Sequence, residues 1–236
     1  HKGQIWASWQ SYETEGIEGA TVSIGSAVFG TSGGSLSFVP ADGDTISTLE
    51  LNKLYRYSNN LLCAIDMTGE QLWNWMNTVA DYYDVDANGR IYLNSSVFGV
   101  DTFYGVDYTI DLTRPYGQRL VKATYQGQNL KTYDGLIRCT LNSYRLSGGY
   151  GFFEATGLTE ADCCWTASQY LGSDRAPVPT QLGEYVAHMG TVTPNDAVSH
   201  GADSTWQILT ERVYDNPFTD VPENSYCYEA IMELVI

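Results

Sequence analysis

Between Asn59 and Ala80 the chain reads "NNLLCAIDMTGEQLWNWMNTVA", and its hydrophobic period changes there with no loop in between. Leu61, Cys63, Ile65 and Met67 alternate with their neighbours, the period of a strand. Thr68 then opens "TGEQ", a capping-box pattern in which the threonine hydroxyl and the Gln71 side chain satisfy donors at a helix start. Leu72, Met76, Val79, Ala80 and Tyr83 follow at helical spacing. A strand thus leads directly into an amphipathic helix, as expected of a mixed α and β fold.

The rest of the chain enlarges that unit. In "GVDYTIDL", Val106, Tyr108, Ile110 and Leu112 face one way and Asp107, Thr109 and Asp111 the other. "RLVKATYQGQNL" predicts a strand, a turn at Gly127 and a short return, and "GLIRCTL" a further strand. Helices are expected at about Glu160 to Tyr170 and at Gln181 to Met189, the second with Leu182, Tyr185, Val186 and Met189 on one face. The fold class is α/β in the mixed α+β sense: mixed sheets with antiparallel hairpins, flanked by helices.

Charge narrows the partners. With 12 basic and 28 acidic residues the formal charge is −16, which repels nucleic-acid polymers and anionic lipid surfaces at long range. A small nucleotide held by local contacts stays compatible with it. No apolar run is long enough to span a bilayer. The chain opens inside what reads as a helix or strand, without a signal-peptide pattern, and is expected to be a fragment of a longer protein.

Ordinary catalytic signatures are missing. His1, His188 and His200 sit in no metal-ligand motif, and no serine occupies a nucleophile elbow. "DVDANGRIY" from Asp84 has the look of a calcium loop but lacks its closing glutamate. Cys63, Cys139, Cys163, Cys164 and Cys227 form no CxxC pair and read as buried free thiols. The glycine-rich stretches "FGTSGGS" (Phe29 to Ser35) and "SGGYG" lack the Lys-Ser or Lys-Thr of a phosphate loop.

"LNSYRLSGGYGF", Leu141 to Phe152, carries the functional question. It reads as a phosphate cradle, as a plain hairpin turn, or as a floor for a flat ligand. Tyr57 precedes one predicted strand and Tyr144 follows another, and strand ends are where ligand sites of such domains collect. Two such rings suit a planar base, with glycines letting backbone approach the sugar. The plain alternative is that they are two of eighteen tyrosines covering a core.

In this order and at these separations, "LYRYSNNLLCAIDMTGEQL", "GVDYTIDLTRPYGQRL" and "LNSYRLSGGYGF" resemble the C-terminal domain of the 5′-nucleotidase family, from about Thr21 to Phe153. The branch they most resemble is that of the bacterial 2′,3′-cyclic-nucleotide 2′-phosphodiesterase/3′-nucleotidases. The resemblance implies a fold of that type and a role in holding the nucleoside part of a substrate. The parent enzyme would be a metal-dependent phosphoesterase, with two divalent metal ions in an N-terminal calcineurin-like domain in cis. No cofactor and no catalytic residue is expected in this chain, which alone would be inactive. Carried over by motif, the stacking aromatics fall on Tyr57 and Tyr144. The asparagine after the first falls on Asn59, with Asn60 as the alternative because the spacing differs by one residue. Asn142 matches the asparagine before the second, and Gly148 and Gly149 match the glycine pair. Two departures stand out. Tyr150 occupies the place where many 5′-nucleotidases have an aspartate on the ribose hydroxyls, and "VFGTSGGS" lacks the upstream phosphate arginine. Arg145 is left either as a phosphate contact or as half of a structural ion pair.

The tail "DNPFTDVPENSYCYEAIMELVI" resembles the start of an S-layer homology module. It implies residues 1–213 as the recognition domain, residues 214–236 as the truncated start of a module that grips cell-wall polymer, and a secreted, surface-attached Gram-positive parent. The rival expectation is a cell-wall structural or binding module that has lost its nucleotide; a glycan-binding surface built from the tyrosines is a third.

Overall fold

A computed structural model describes residues 1–26, 43–47, 50–51, 55, 57–95, 97–191 and 206–210. The glycine stretch Phe29 to Ser35, the boundary expected near Val213, the segment 214–236, His200 and Cys227 lie outside the described residues. In chain order the elements are α1 (Lys2–Glu15), β1 (Val22–Ser26), β2 (Leu62–Thr68), α2 (Gly69–Ala80), β3 (Tyr83–Val85), β4 (Ile91–Leu93), β5 (Asp101–Tyr104), β6 (Asp107–Asp111), β7 (Leu120–Tyr125), β8 (Gln128–Asn129), β9 (Leu136–Asn142), α3 (Ser143–Leu146), α4 (Phe152–Thr156), β10 (Cys163–Thr166), α5 (Ala167–Tyr170), α6 (Val178–Met189) and β11 (Trp206–Leu209).

The strand-to-helix junction forms as its sequence predicts. Gln71 N–H donates to the Thr68 hydroxyl at 3.2 Å, and Thr68 N–H donates to the Gln71 side chain at 2.9 Å. α2 buries Leu72, Trp75, Met76, Val79 and Ala80. It ends at Ala80, so Tyr83 begins β3 instead of closing the helical stripe, and is buried there.

Strands β10-β2-β9-β1-β5 form one sheet, antiparallel except for the parallel β9–β1 pair. A second sheet runs β11-β6-β7-β8, with β11 parallel to β6. β2 is covered on both faces. Cys63, Ile65 and Met67 join the main core with α2 and the second sheet, while Leu62 and Ala64 join a smaller core with Ala7 of α1, Trp165 and Val178. The alternation in β6 holds, yet Thr109 and Asp111 on its other face are buried too. Beyond β7, Gln126 and Gly127 both take positive φ (49° and 77°), the hairpin turn expected at Gly127.

One expected helix is corrected. Residues 160–170 form a 3-10 turn, the edge strand β10 and the four-residue α5. Trp165 is drawn into the core as β10 pairs with β2, and Thr166 restarts the helix by accepting from Gln169 N–H. The later helix is present as α6, but its deeply buried residues are Val178, Pro179 and Gln181, and Met189 is exposed.

Candidate functional site

Antiparallel pairing decides which loops meet. Leu62 lies opposite Asn142, so the chain entering β2 and the chain leaving β9 emerge at the same end of the sheet. Ser143 N–H donates to Leu61 O at 2.8 Å, and Leu61 N–H donates to the Ser143 hydroxyl at 2.9 Å. Tyr57 and Tyr144 are thereby carried on two loops stitched side by side. Both rings are exposed, at 37% and 44%.

The first loop turns tightly, with Asn60 N–H donating to Tyr57 O at 3.1 Å. Asn60 and Asn142 each donate a side-chain N–H to the Tyr55 hydroxyl, at 2.9 and 3.0 Å. That phenol ties the loops together. Burial pushes its pKa up, and the two amide donors partly oppose this. The Asn142 carbonyl oxygen accepts from Arg145 N–H at 2.8 Å and so caps α3. Asn60 and Asn142 thus act as scaffold, whereas Asn59 is exposed on the turn beside Tyr57.

The second loop explains its glycines. Gly148 has φ 87°, and a Cβ there would stand 2.6 Å from the Phe153 ring. A Cβ on Gly149 would stand 2.7 Å from the Tyr144 ring, so the tyrosine lies directly on bare backbone. Tyr150, also at positive φ (58°), meets Tyr144 edge to face at a centroid distance of 6.4 Å. Its carbonyl accepts from the Tyr82 hydroxyl at 3.0 Å. Across the site Tyr57 meets Phe98 edge to face at 5.9 Å and Tyr55 at 6.4 Å. Edge-to-face contact fixes ring planes while leaving an outer face open.

Arg145 is not presented to a ligand. Its side chain and that of Asp101 are each 1% exposed, with Nε 2.8 Å from Oδ2 and Nη2 3.0 Å from Oδ1. Nη1 donates to Gly149 O at 2.6 Å and Nη2 to Phe98 O at 2.9 Å, and the guanidinium lies 4.8 Å over Trp75. Trp75 Nε1–H in turn donates to Asp101 Oδ2 at 2.8 Å. The phosphate contact considered for Arg145 gives way to the structural ion pair, because every face of the group is occupied by protein. Sequence reasoning missed Tyr55, Phe98, Trp75 and Asp101. Tyr55 alone carried a signal, standing two residues before Tyr57 in the same stretch.

Among the described residues no group of three or more His, Cys, Asp or Glu side chains is placed to hold a metal ion. The described residues do not fit a dimetal centre. What the site offers is ring faces and backbone, suited to holding a flat molecule.

Residues 4–157 match the family model described as "5′-nucleotidase, C-terminal domain". That span carries both tyrosine loops, and the chain belongs to this family. A Staphylococcus aureus protein classed as a 5′-nucleotidase and solved with α-ketoglutarate is similar in fold, with a TM-score of 0.60 and 17% identity over 88% of this chain and 36% of that one. A 5′-nucleotidase precursor from Thermus thermophilus has a TM-score of 0.55 and 15% identity, covering 89% of this chain and 35% of its own. The sulfate thiohydrolase SoxB of Thermus thermophilus, solved with glycerol, has a TM-score of 0.51 and 14% identity, covering 87% and 31%. The chain thus spans about a third of the length of these structures, and at such identities the likeness is one of fold. No curated protein matches the sequence.

Proposed function

We propose that this domain holds the base of a nucleoside or nucleotide between Tyr57 and Tyr144 and presents it to a metal-dependent phosphoesterase domain in the same protein. The observation that carries the reading is the stitched pair of loops, which brings two exposed tyrosines to one end of the β2–β9 pair. In-line hydrolysis would belong to two divalent ions in the other domain, and this chain would supply positioning. Tyrosine at both stacking places, and Tyr150 where a ribose carboxylate is common, favour 2′,3′-cyclic and 3′-nucleotides over a strict 5′-nucleotidase range. Residues 214–236 would begin a module that holds the secreted parent to cell-wall polymer.

Stacking contributes roughly 1–3 kcal/mol per face, offset by the cost of immobilising the ligand. Adenosine and 3′-AMP should therefore bind the isolated chain with micromolar to millimolar Kd, on the order of −4 to −8 kcal/mol. Calorimetry on the wild type, Tyr57→Ala and Tyr144→Ala tests this, with roughly tenfold or greater weakening expected in each variant. No wild-type binding at millimolar ligand, with native circular dichroism, would move the assignment to a structural cell-wall module. Glycan binding indifferent to adenosine would move it to a carbohydrate surface.

A further inference from the structure

We infer that Arg145 is the positioning residue of the aromatic site, one guanidinium that sets both of its walls; the inference rests on the base-binding reading above. One arm, Nη2, holds Phe98 O at 2.9 Å, and the Phe98 ring is the edge on which Tyr57 leans at 5.9 Å. The other, Nη1, holds Gly149 O at 2.6 Å, and Gly149 is the backbone on which the Tyr144 ring lies. Asp101, at the start of β5, fixes the guanidinium from behind, and Trp75 of α2 holds the carboxylate in turn. The two walled segments also touch directly: a Cβ on Gly99 would stand 2.7 Å from the Tyr150 ring.

The chemistry suits arginine alone. Its planar fork has five donors in fixed directions, so it can engage a carboxylate on one side and two carbonyls on the other. Lysine keeps the charge but cannot reproduce that geometry. A site held to within half an ångström by such a support binds better than one that must be ordered by its ligand. Binding and support are then linked: whatever Arg145 contributes to ligand affinity, the ligand returns to the order of Arg145.

The test uses the full 236-residue chain and begins with wild-type adenosine affinity by calorimetry. Absence of binding there overturns the base-site reading and this inference with it. Given binding, Arg145→Lys and the double variant Asp101→Asn/Arg145→Met are compared with it. The double variant removes both charges together, the change a buried pair tolerates best, and keeps an acceptor for Trp75. Weakening of roughly tenfold is expected in both, measured well below each variant's own melting temperature because the carbonyls of Phe98 and Gly149 lose their donors, with no rescue by lysine. Folded variants with wild-type affinity would overturn the inference and leave the base site standing. A wild-type readout needs no variant to fold: adenosine should slow exchange of the Arg145 guanidinium protons in NMR of isotope-labelled chain. Exchange indifferent to saturating adenosine would assign Arg145 to structure only.

Discussion

Two arginine–aspartate pairs have their arginines, Arg138 and Arg145, seven residues apart, and they differ in almost everything but chemistry. Arg138 and Asp66 face each other directly across β9 and β2, joined by bonds of 2.8 and 2.9 Å, with side chains 26% and 27% exposed. Arg145 and Asp101 make an equally short contact at 1% exposure. Solvent screens the first pair, so its attraction is offset by water and by side-chain entropy. Burial strips hydration from the second, and the loss is repaid only while every donor and acceptor has a partner. The first pair therefore adds a local clasp between strands. The second also donates to the carbonyls of Phe98 and Gly149, so a buried charge ties together backbone that packs against the exposed Tyr57 and Tyr144 rings.

The largest effect that tests this contrast is Arg145→Met alone. It abandons the Asp101 carboxylate in the core and should cost about 3–5 kcal/mol. Arg138→Met, an equal chemical change, should cost about 0–1 kcal/mol. Urea denaturation at neutral pH measures both, and equal losses would break the comparison. Trp75→Phe sharpens it. That change keeps the ring beneath the guanidinium and removes only the Nε1–H donated to Asp101 Oδ2, for an expected loss of about 1–3 kcal/mol. A loss as large as that of Arg145→Met would mean that the indole, and not the ion pair, carries the buried network.

The same contrast explains what the sequence could and could not disclose. Local chemistry was readable: Thr68 and Gln71 announce α2, Gly127 announces its hairpin, and the alternation in β6 survives in the fold. Tyr57 and Tyr144 were legible as strand-end rings, but not the register that brings their two loops together. That register depends on Leu62 meeting Asn142, a pairing across eighty residues that no local pattern encodes. Long-range partners were the blind spot elsewhere too. Arg145 reads alike as phosphate ligand or ion pair until Asp101 is seen behind it. Residues 160–170 carry helical spacing, and the pull of β2 on Trp165 overrides it.

The smallest effect is a pH dependence at the half-buried Arg138–Asp66 pair. Hydrogen bonds from Arg138, opposed by partial burial and aided by its charge, hold the Asp66 carboxyl below the usual carboxylate range in the folded chain. An unfolded aspartate titrates near ~3.9. Because the folded value is the lower one, the unfolded chain takes up the proton first on acidification. The stabilisation from Asp66 is thus fully present above the unfolded value and fades as pH falls through the folded one. In Arg138→Met the carboxyl loses the partner that lowers its pKa, so the stability gap between wild type and variant should be steady from neutral pH to about 5 and close below about 4. Urea midpoints at neutral pH and at about 3.5 read that gap directly, and added salt should narrow it at neutral pH because the pair is open to solvent. A gap that persists unchanged in acid would mean that Arg138 stabilises through its bond to Glu18 O, at 2.7 Å, and through its packing. The clasp between β2 and β9 would then owe little to the carboxylate, and the difference between the two pairs would be wider than their burial alone predicts.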